Sequence, residues 1–393
     1  MIIRKLIIFV LFVLLLLPSC VPEVNETQAT LTIELNTERV GQVTDLQLSA
    51  SDLNRELSYT SSELTITLPV GYYDIAITGL ANGKPIRANK RGVTVVKNST
   101  IELEATFVNK EKEEFVLAEI FFAGTETPEG KRYNGDKYFV IVNNSYDTLS
   151  ADGLILIEAE LNSVQKYIFD GDDIREKYFA VDAMYRVPGD GSNYCVAPGK
   201  ALLIVDNAMN HLEANANSFD LSSADMEWYD VSSSTGTIDV DNPDVPNMDK
   251  LYCYTYTIWV PHNQGHKSYG LARFPDSLTA EQYFQDSQYR LHITYETVTA
   301  AGTFPGAKDV YVLPNDWIVD AVNLSPYETF QWLTVSDKLD AGYAYIAPTG
   351  SDKTRFGKCV RRKRGEDGKL VDTNNSSEDF LMAQEANPFY FDR

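Results

Sequence analysis

Alternating apolar and polar positions recur along the first hundred residues of the chain. In residues 29–35 (ATLTIEL) apolar side chains occupy every second position, and residues 63–68 (ELTITL) repeat the alternation. A period of two indicates a β-strand with one buried face. Two further segments share this pattern, residues 73–78 and 101–108. Since turn-forming Gly, Pro and Asn separate the segments, we predict a small β-sandwich over residues 29–108.

A charged connector, residues 109–114 (NKEKEE), follows this sandwich and precedes a longer β-rich region. We place a domain boundary there, because polar connectors carry few contacts. The second domain, residues 115–393, is predicted to be another β-sandwich, so the fold class is all-β with two β-sandwich domains. Its predicted strands are residues 115–122, 138–143, 153–158, 201–205, 251–260, 291–296, 309–313, 317–322 and 356–360.

Long loops and a few short helices are expected between these strands. Thr279 and Gln282 have the spacing of a capping box, in which the two side chains bond free backbone amides at a helix start. A short helix is therefore predicted over residues 279–287. Residues 162–250 are expected to be an insertion into the second sandwich. Within them residues 207–245 are polar and weakly periodic, and loops of such length are usually functional or insertional.

The N-terminus has the pattern of a secretion signal. Arg4 and Lys5 precede an apolar run over residues 6–17, which fits a signal peptide and is too short to span a bilayer as a helix. The run ends in Leu-Pro-Ser-Cys, which resembles a lipobox, where bacterial processing attaches lipid to the cysteine and cuts before it. Residues 1–19 are therefore predicted to be a signal peptide, with Cys20 as the lipid attachment site.

A lipid on Cys20 would anchor the mature protein to a membrane. Each buried methylene contributes about 0.8 kcal/mol, and more than one acyl chain makes the anchoring stable. We expect the outer membrane, with the protein exposed at the cell surface and residues 20–28 as a lipidated tether. The alternative is an ordinary cleaved signal peptide in which Cys20 has no role.

Acidic residues outnumber basic residues by 56 to 34, which gives a net charge of −22. Removing residues 1–19 takes away two basic residues and leaves 32, so the net charge becomes −24. This charge disfavours nucleic acids and anionic membrane surfaces as partners. Three cysteines follow Cys20, and an odd, widely spaced set allows at most one disulfide. They are Cys195, Cys253 and Cys359.

The segment GKCVRRKRGEDGKLVDTNNSSEDF, residues 357–380, and four other segments of the second domain resemble the lamin-tail type of immunoglobulin-like sandwich found in secreted bacterial proteins. Residues 68–79 (LPVGYYDIAITG) resemble an element of immunoglobulin-like and prealbumin-like modules of bacterial surface proteins. The whole organisation resembles a family of Bacteroides-type outer-membrane lipoproteins of unknown function. The resemblances imply two immunoglobulin-like sandwich domains, the second of them lamin-tail-like, in a binding or scaffolding unit. They assign no activity, because fold does not imply function. The lamin-tail-like segments are residues 117–124, 136–156, 197–208, 315–322 and 357–380, of which the last (GKCVRRKRGEDGKLVDTNNSSEDF) is the most specific.

Histidines and tyrosines between residues 252 and 266 are the weak ligand candidates. His262 and His266 have a spacing that would serve a metal on a helix, but Pro and Gly favour a loop there, and no neighbouring side chain completes a ligand set. No metal site is therefore predicted. Tyr252 and Tyr254 share one face of a predicted strand with Tyr256, where they either bind a planar ligand or pack on the sheet.

Charged clusters have structural and functional alternatives. Residues 170–173 (DGDD) and 239–244 (DVDNPD) supply oxygen ligands that calcium prefers, but both lack the Gly and Glu positions of an EF-hand. We therefore prefer the alternative, in which both segments form solvated turns rather than calcium sites. The basic run at residues 361–364 (RRKR) is expected to neutralise nearby carboxylates or to dock an acidic partner. Residues 372–375 (DTNN) are predicted to form an ordered structural loop through side-chain to backbone bonds.

No motif of nucleophilic, zinc-dependent or phosphate-binding catalysis occurs in the sequence. We therefore expect a non-enzymatic surface lipoprotein without a cofactor, which binds a ligand or partner as an accessory of an outer-membrane transporter. One alternative is a cell-surface adhesion or scaffold protein. Another is a hydrolase with its site in the loops of residues 162–250.

Overall fold

The computed structural model describes residues 28–50, 53–59, 63–107, 114–299 and 302–393. Strands dominate these residues, which confirms the all-β prediction. The predicted signal peptide, Cys20, most of the tether and most of the linker lie outside the described residues. In the part of the chain that is described, no helix is long and apolar enough to cross a membrane.

The first domain is built from two sheets that share one core. β1 pairs with β4 in antiparallel and with β7 in parallel orientation. The smaller sheet has the spatial order β4 (Glu63–Pro69), β1 (Gln28–Asn36) and β7 (Ser99–Glu104). The larger sheet has the order β3 (Leu53–Tyr59), β2 (Val43–Ala50), β5 (Gly71–Ala81), β6 (Lys84–Val95) and β8 (Thr106–Phe107).

Alternation explains this first core. Leu31 and Ile33 of β1 are buried against Leu48 of β2 and Ile75 and Ile77 of β5, while the side chains between them face outward. A period of two therefore assigns the core face of each strand. This is the pattern from which the sandwich was predicted.

The second domain contains two larger sheets. One has the order β17 (Met226–Glu227), β16 (Ala201–Val205), β10 (Tyr138–Asn143), β9 (Phe115–Phe121), β23 (Lys358–Arg362) and β24 (Phe380–Glu385). The other has the order β13 (Lys166–Phe169), β20 (Arg290–Thr299), β21 (Gly302–Pro314), β14 (Tyr178–Arg186), β12 (Ile155–Ala159), β19 (Tyr269–Ala272) and β22 (Ile318–Val322), with β18 (Asp249–Cys253) also paired to β14. A short pair joins β11 (Leu149–Ser150) to β15 (Cys195–Val196).

Short helices connect these strands. They are α1 (Ala280–Gln285), α2 (Ser376–Asp379) and the 3-10 turns Ile174–Glu176, His211–Glu213, Ser287–Tyr289, Asn315–Trp317 and Lys353–Arg355. The predicted capping box is confirmed: Thr279 Oγ1 accepts from the Gln282 N–H (3.2 Å), and Gln282 Oε1 accepts from the Thr279 N–H (2.8 Å). Helix α1 begins there and buries Tyr283 against the eight-stranded sheet.

Several central strands of the second domain are buried on both faces. β9, β10, β12 and β16 are buried at every position. Their inner faces form the core between the sheets, and their outer faces are covered by further apolar side chains. Such strands need continuous apolar sequence rather than alternation, which is why residues 138–143 and 201–205 were predicted with the observed bounds.

Two predictions need correction or refinement. The strand predicted over residues 251–260 ends at Cys253, because Thr255 Oγ1 bonds the Ile258 carbonyl (2.9 Å) and bends the chain. Residues 162–250, expected to be an insertion, supply β14 and β16 to the middle of the two sheets. Within residues 162–250, which are all described, only residues 207–248 form a long loop region. That region contains one strand, β17.

Candidate functional site

The loop of residues 259–268 (WVPHNQGHKS), here called the histidine loop, lies against buried charged groups of the second domain. The Pro261 carbonyl accepts a hydrogen bond from Lys137 Nζ (3.0 Å), and the His262 N–H donates to Glu158 Oε2 (3.1 Å). Lys137 is fully buried and Glu158 is 2% exposed. Because buried charges need hydrogen-bond partners, these two groups fix the path of the loop.

The buried groups beneath the histidine loop shift toward their neutral forms. Burial lowers the pKa of Lys137 to about 8, against the opposing effect of Asp206 and Glu158. Burial also raises the pKa of Glu158, and raises the pKa of Asp206 to about 8. Desolvation is the dominant cause in each case. Burial therefore favours the neutral form of each of these three groups.

The two histidines of this loop are neighbours. Their ring centroids lie 4.9 Å apart, and the His266 N–H donates to His262 Nδ1 (3.4 Å). Burial lowers the pKa of His262 to about 3 and that of His266 to about 4, so both rings are neutral at physiological pH. A Cβ on Gly350 would lie 2.5 Å from His266 Nε2, so this nitrogen packs against the chain. Among the described residues no group of three metal-ligating side chains is found.

A second charged cluster adjoins the loop. Lys267 Nζ donates to Asp182 Oδ2 (2.6 Å) and to the Glu160 carbonyl (2.5 Å), while Lys308 pairs with the Glu160 carboxylate. Burial raises the pKa of Asp182 to about 8, and its hydrogen bond to Glu160 adds to the rise. Burial alone would lower the pKa of Lys267, but Asp182, Glu158 and Glu160 together raise it. Lys267 therefore stays protonated and holds the carboxylates together.

The tyrosine candidates lie beside the same carboxylates without forming the predicted aromatic face. Tyr252 packs edge-on against Tyr311, with centroids 4.8 Å apart. The Tyr254 N–H donates to the Asp182 carbonyl (2.9 Å), and its ring is half exposed. Burial, followed by nearby carboxylates, raises the pKa of both Tyr252 and Tyr254 to about 12. Tyr256 lies beyond the end of β18 and is 90% exposed.

The structure thus brings His262, His266, Tyr252 and Tyr254 around charged residues that the sequence reading missed. The missed residues are Lys137, Glu158, Glu160, Asp182 and Lys267. A signal was present, because Glu158 and Asp182 each interrupt an otherwise apolar strand (LILIEA and YFAVDAMYR). A lone charge inside a buried strand predicts a buried partner, but it does not say which one.

A separate polar cleft of about 410 Å³ lies between the two domains. Arg87 Nη2 contacts Glu378 Oε2 (3.0 Å), and Asn89 Nδ2 donates to Asp337 Oδ2 (3.2 Å) across the boundary. Lys338 of the second domain also pairs with Glu104 of the first. The lining residues are Asn36, Arg87, Ala88, Asn89, Lys90, Glu102, Leu103, Glu104, Glu176, Asp337, Lys338, Thr373 and Asn374.

The charged and polar segments selected from the sequence make structural contacts. Asp173 caps the turn Ile174–Glu176 through the Arg175 N–H (3.0 Å). In residues 361–364, Arg361 binds buried Glu119 and Arg362 binds buried Asp320, as expected for neutralisation of carboxylates. In residues 372–375, Thr373 Oγ1 donates to Asp379 Oδ1 (2.7 Å).

The other histidines and the cysteines complete the candidate set. His211 is buried, with Nδ1 bonded to Tyr133 Oη (2.8 Å), and exposed His292 contacts Asp309 (2.7 Å). The described cysteines are free thiols, exposed at Cys195, half-buried at Cys253 and buried at Cys359. These groups lie outside the cleft between the domains and its lining.

Comparison with solved structures identifies a chain of similar fold. The chain is similar to a crystal structure of a DUF4876 family protein from Bacteroides thetaiotaomicron VPI-5482, with 19% identity and a TM-score of 0.57. The match covers 91% of this chain and 96% of the other. At this identity the likeness concerns the fold alone.

A second structure, of a DUF3823 family protein from Parabacteroides merdae ATCC 43184, is 10% identical over 73% of this chain and 98% of the other. Its TM-score of 0.14 supports no argument about the fold. No curated protein matches the chain. Residues 197–387 match the family described as "Protein of unknown function (DUF4876)", so the similarity to this family rests on the larger part of the second domain.

Proposed function

We propose that this protein is a non-enzymatic surface lipoprotein that binds a ligand or partner as an accessory of an outer-membrane transporter. Lipid on Cys20 would anchor it at the cell surface. The lipobox-like N-terminus and the charge of −24 after removal of residues 1–19 support an exported, solvated protein. The similarity to a family of unknown function assigns no activity.

The cleft between the domains is the observation that carries the proposal. Binding sites occur preferentially at domain interfaces, with volumes of about 300–1,000 Å³, and this cleft of about 410 Å³ lies within that range. Amides, carboxylates and cations line it together, among them Asn89, Lys90, Glu102 and Asn374. Such a lining favours a polar ligand that both donates and accepts hydrogen bonds.

The perturbed titratable groups of the second domain support a binding role over catalysis. Asp182 bonds Lys267, Glu158 accepts from the His262 N–H, and Arg362 pairs with Asp320. These contacts stabilise the fold. A catalytic group needs a pKa matched to its task and access to substrate, and Glu158 at 2% exposed has little access.

Ligand binding is tested by thermal shift and calorimetry on the purified mature protein. Separate panels of glycans, haem, siderophores and metal ions serve as probes. A ligand of the cleft should raise the Tm, and Lys90→Glu should abolish the shift, whereas Lys97→Glu on the same domain outside the cleft should retain it. If every probe leaves the Tm unchanged and no transporter co-purifies from native membranes, the proposal fails.

Anchoring is tested separately. Wild-type protein should fractionate with the outer membrane and carry acyl chains detectable by mass spectrometry, and Cys20→Ala should be released from it. An unacylated N-terminus on a cytosolic wild-type protein would overturn this part. Specific binding to a host or matrix protein, without any small-molecule ligand, would favour the adhesion alternative. Hydrolysis abolished by one Asp or His substitution would favour the hydrolase alternative.

A further inference from the structure

Two neighbouring loops of the second domain expose large apolar side chains at their tips. Val231, Ile238 and Tyr256 are 82%, 78% and 90% exposed. Isolated exposed apolar residues are common, but a contiguous group on a monomeric protein marks an interaction site. The apolar loop patch consists of these three residues with Val240, Tyr254 and Val260.

Hydrogen bonds at the base of the loops hold the patch together. The Asp230 N–H donates to Asp239 Oδ2 (2.8 Å), and Asp230 Oδ2 accepts from the Trp259 N–H (2.6 Å). Ser233 Oγ donates to the Tyr256 carbonyl (2.6 Å). Val231, Ile238, Val240 and Val260 each adjoin one of these bonded residues in sequence, so these four residues lie on one hydrogen-bonded base.

The base itself is buried, because Asp230 and Trp259 are each 1% exposed. Trp259 is buried in the core and stacks on Tyr185, with ring centroids 4.9 Å apart. Tyr185 Oη donates to Asp230 Oδ2 (2.7 Å), the same atom that accepts from Trp259. The exposed tips are therefore presented by a fixed support, which lowers the conformational entropy cost of binding.

The surroundings of the patch are acidic. Residues 231–248, which include Val231, Ile238 and Val240, contain three Asp residues and no Lys or Arg. Asp241 and Asp244, one and four residues after Val240 in the chain, are exposed. The patch therefore combines apolar contact area with negative charge, and complementary charge favours a basic partner.

We infer that the apolar loop patch docks a polypeptide segment that carries both large apolar and basic side chains. A second copy of this chain would bring two acidic surfaces together, and an anionic lipid surface would be repelled for the same reason. No residue of the patch lines the cleft between the domains. This inference goes beyond the proposed function, and each can fail without the other.

The test uses the full mature protein and three synthetic peptides of equal length. The first alternates lysine and leucine in an amphipathic pattern, the second replaces leucine by serine, and the third replaces lysine by glutamate. The variant carries Val231→Ser, Ile238→Ser and Tyr256→Ser together. The matched control carries Tyr72→Ser and Val96→Ser, two exposed apolar residues of the first domain.

Saturable binding of the lysine–leucine peptide is expected, and the triple variant should weaken it at least about tenfold, as for the loss of hot-spot residues. The two-residue control should bind like wild type, and the serine and glutamate peptides should bind at least about tenfold more weakly. Thermal melting verifies that the variants fold. If the triple variant melts earlier, Tyr256→Ser alone should still weaken binding.

Three results would overturn the inference. The first is equal binding of the lysine–leucine peptide by wild type and triple variant, or no saturable binding at all. The second is binding to phosphatidylglycerol vesicles that the triple variant loses, which identifies a membrane contact. The third is a dimer in analytical ultracentrifugation that the triple variant loses, which identifies a second copy of the chain as the occupant.

Discussion

Arg362 provides a direct measure of how the second domain stabilises buried charge. Its side chain is 1% exposed, and Nη2 donates to Asp320 Oδ2 (2.8 Å). Nη1 lies 3.5 Å from Asp379 Oδ2, and Nε donates to the Leu117 carbonyl (2.9 Å). Both carboxylates are almost fully buried. One guanidinium therefore compensates two buried acids and ties β23 to β9 and β22.

Arg362→Met keeps an extended side chain but removes the positive charge and its donors. Breaking a buried ion pair by deleting one partner costs about 3–5 kcal/mol. At about 2 °C or more per kcal/mol for a domain of this size, the Tm should fall by about 6 °C or more. Urea denaturation followed by tryptophan fluorescence measures the free energy of unfolding.

The neighbouring arginine supplies the matched control. Arg364 is exposed and bonds only the Gly368 carbonyl among the described contacts. Arg364→Met should therefore change stability by less than about 0.5 kcal/mol, as surface substitutions usually do. An equal loss in both variants would show that net charge, rather than the buried network, determines the effect.

The stability loss of Arg362→Met should depend on pH. Burial raises the pKa of Asp379 to about 6, even though Arg362 opposes the rise. Without Arg362 this folded-state pKa rises further, so the ionised acid destabilises the variant at high pH and protonation relieves it at low pH. The stability loss of Arg362→Met should therefore be largest at about pH 8 and smaller at about pH 5. A loss below about 1 kcal/mol, or one equal at both pH values, would refute the reasoning.

Three further predictions follow from local geometry. Gly124 has φ +74° and an added Cβ would lie 2.2 Å from the Tyr133 carbonyl oxygen, whereas Gly130 has φ +75° with its nearest neighbour at 3.8 Å. Gly124→Ala should therefore destabilise the protein at least about 1 kcal/mol more than Gly130→Ala in urea denaturation, and equal losses would contradict the clash. Thr279→Ala should cost about 1 kcal/mol and speed amide exchange in α1, and unchanged exchange would contradict the capping role. Burial lowers the folded-state pKa of Lys137 to about 8 from 10.5, so wild type should gain stability relative to Lys137→Met as pH rises between these values, and a constant difference would exclude this linkage.

Much of the strand pattern could be read from the sequence, because burial acts on each strand locally. β10 and β16 have the predicted bounds, since a strand covered on both faces needs an unbroken apolar run. The capping box at Thr279 was also predicted, since its two partners are three residues apart. The strand predicted over residues 251–260 failed beyond Cys253, because bonds made by Thr255 and Tyr254 override the β-propensity of the tyrosines.

The candidate site was only partly predictable. His262, His266, Tyr252 and Tyr254 were selected by residue type, and their structural neighbours were not. Lys267 and Asp182 are 85 residues apart, and the local sequence around either residue does not predict that the two are in contact. The cleft between the domains likewise depends on contacts such as Arg87 with Glu378, which span 291 residues.

The sequence by itself determined the all-β class, the acidic surface and the bounds of the most apolar strands. These properties depend on composition and on neighbours two to four residues away, so short stretches of sequence are enough to predict them. Only the tertiary structure decided which buried charges meet and which loop tips lie together. Such pairings depend on sheet order and loop path, which join residues that are remote in the chain.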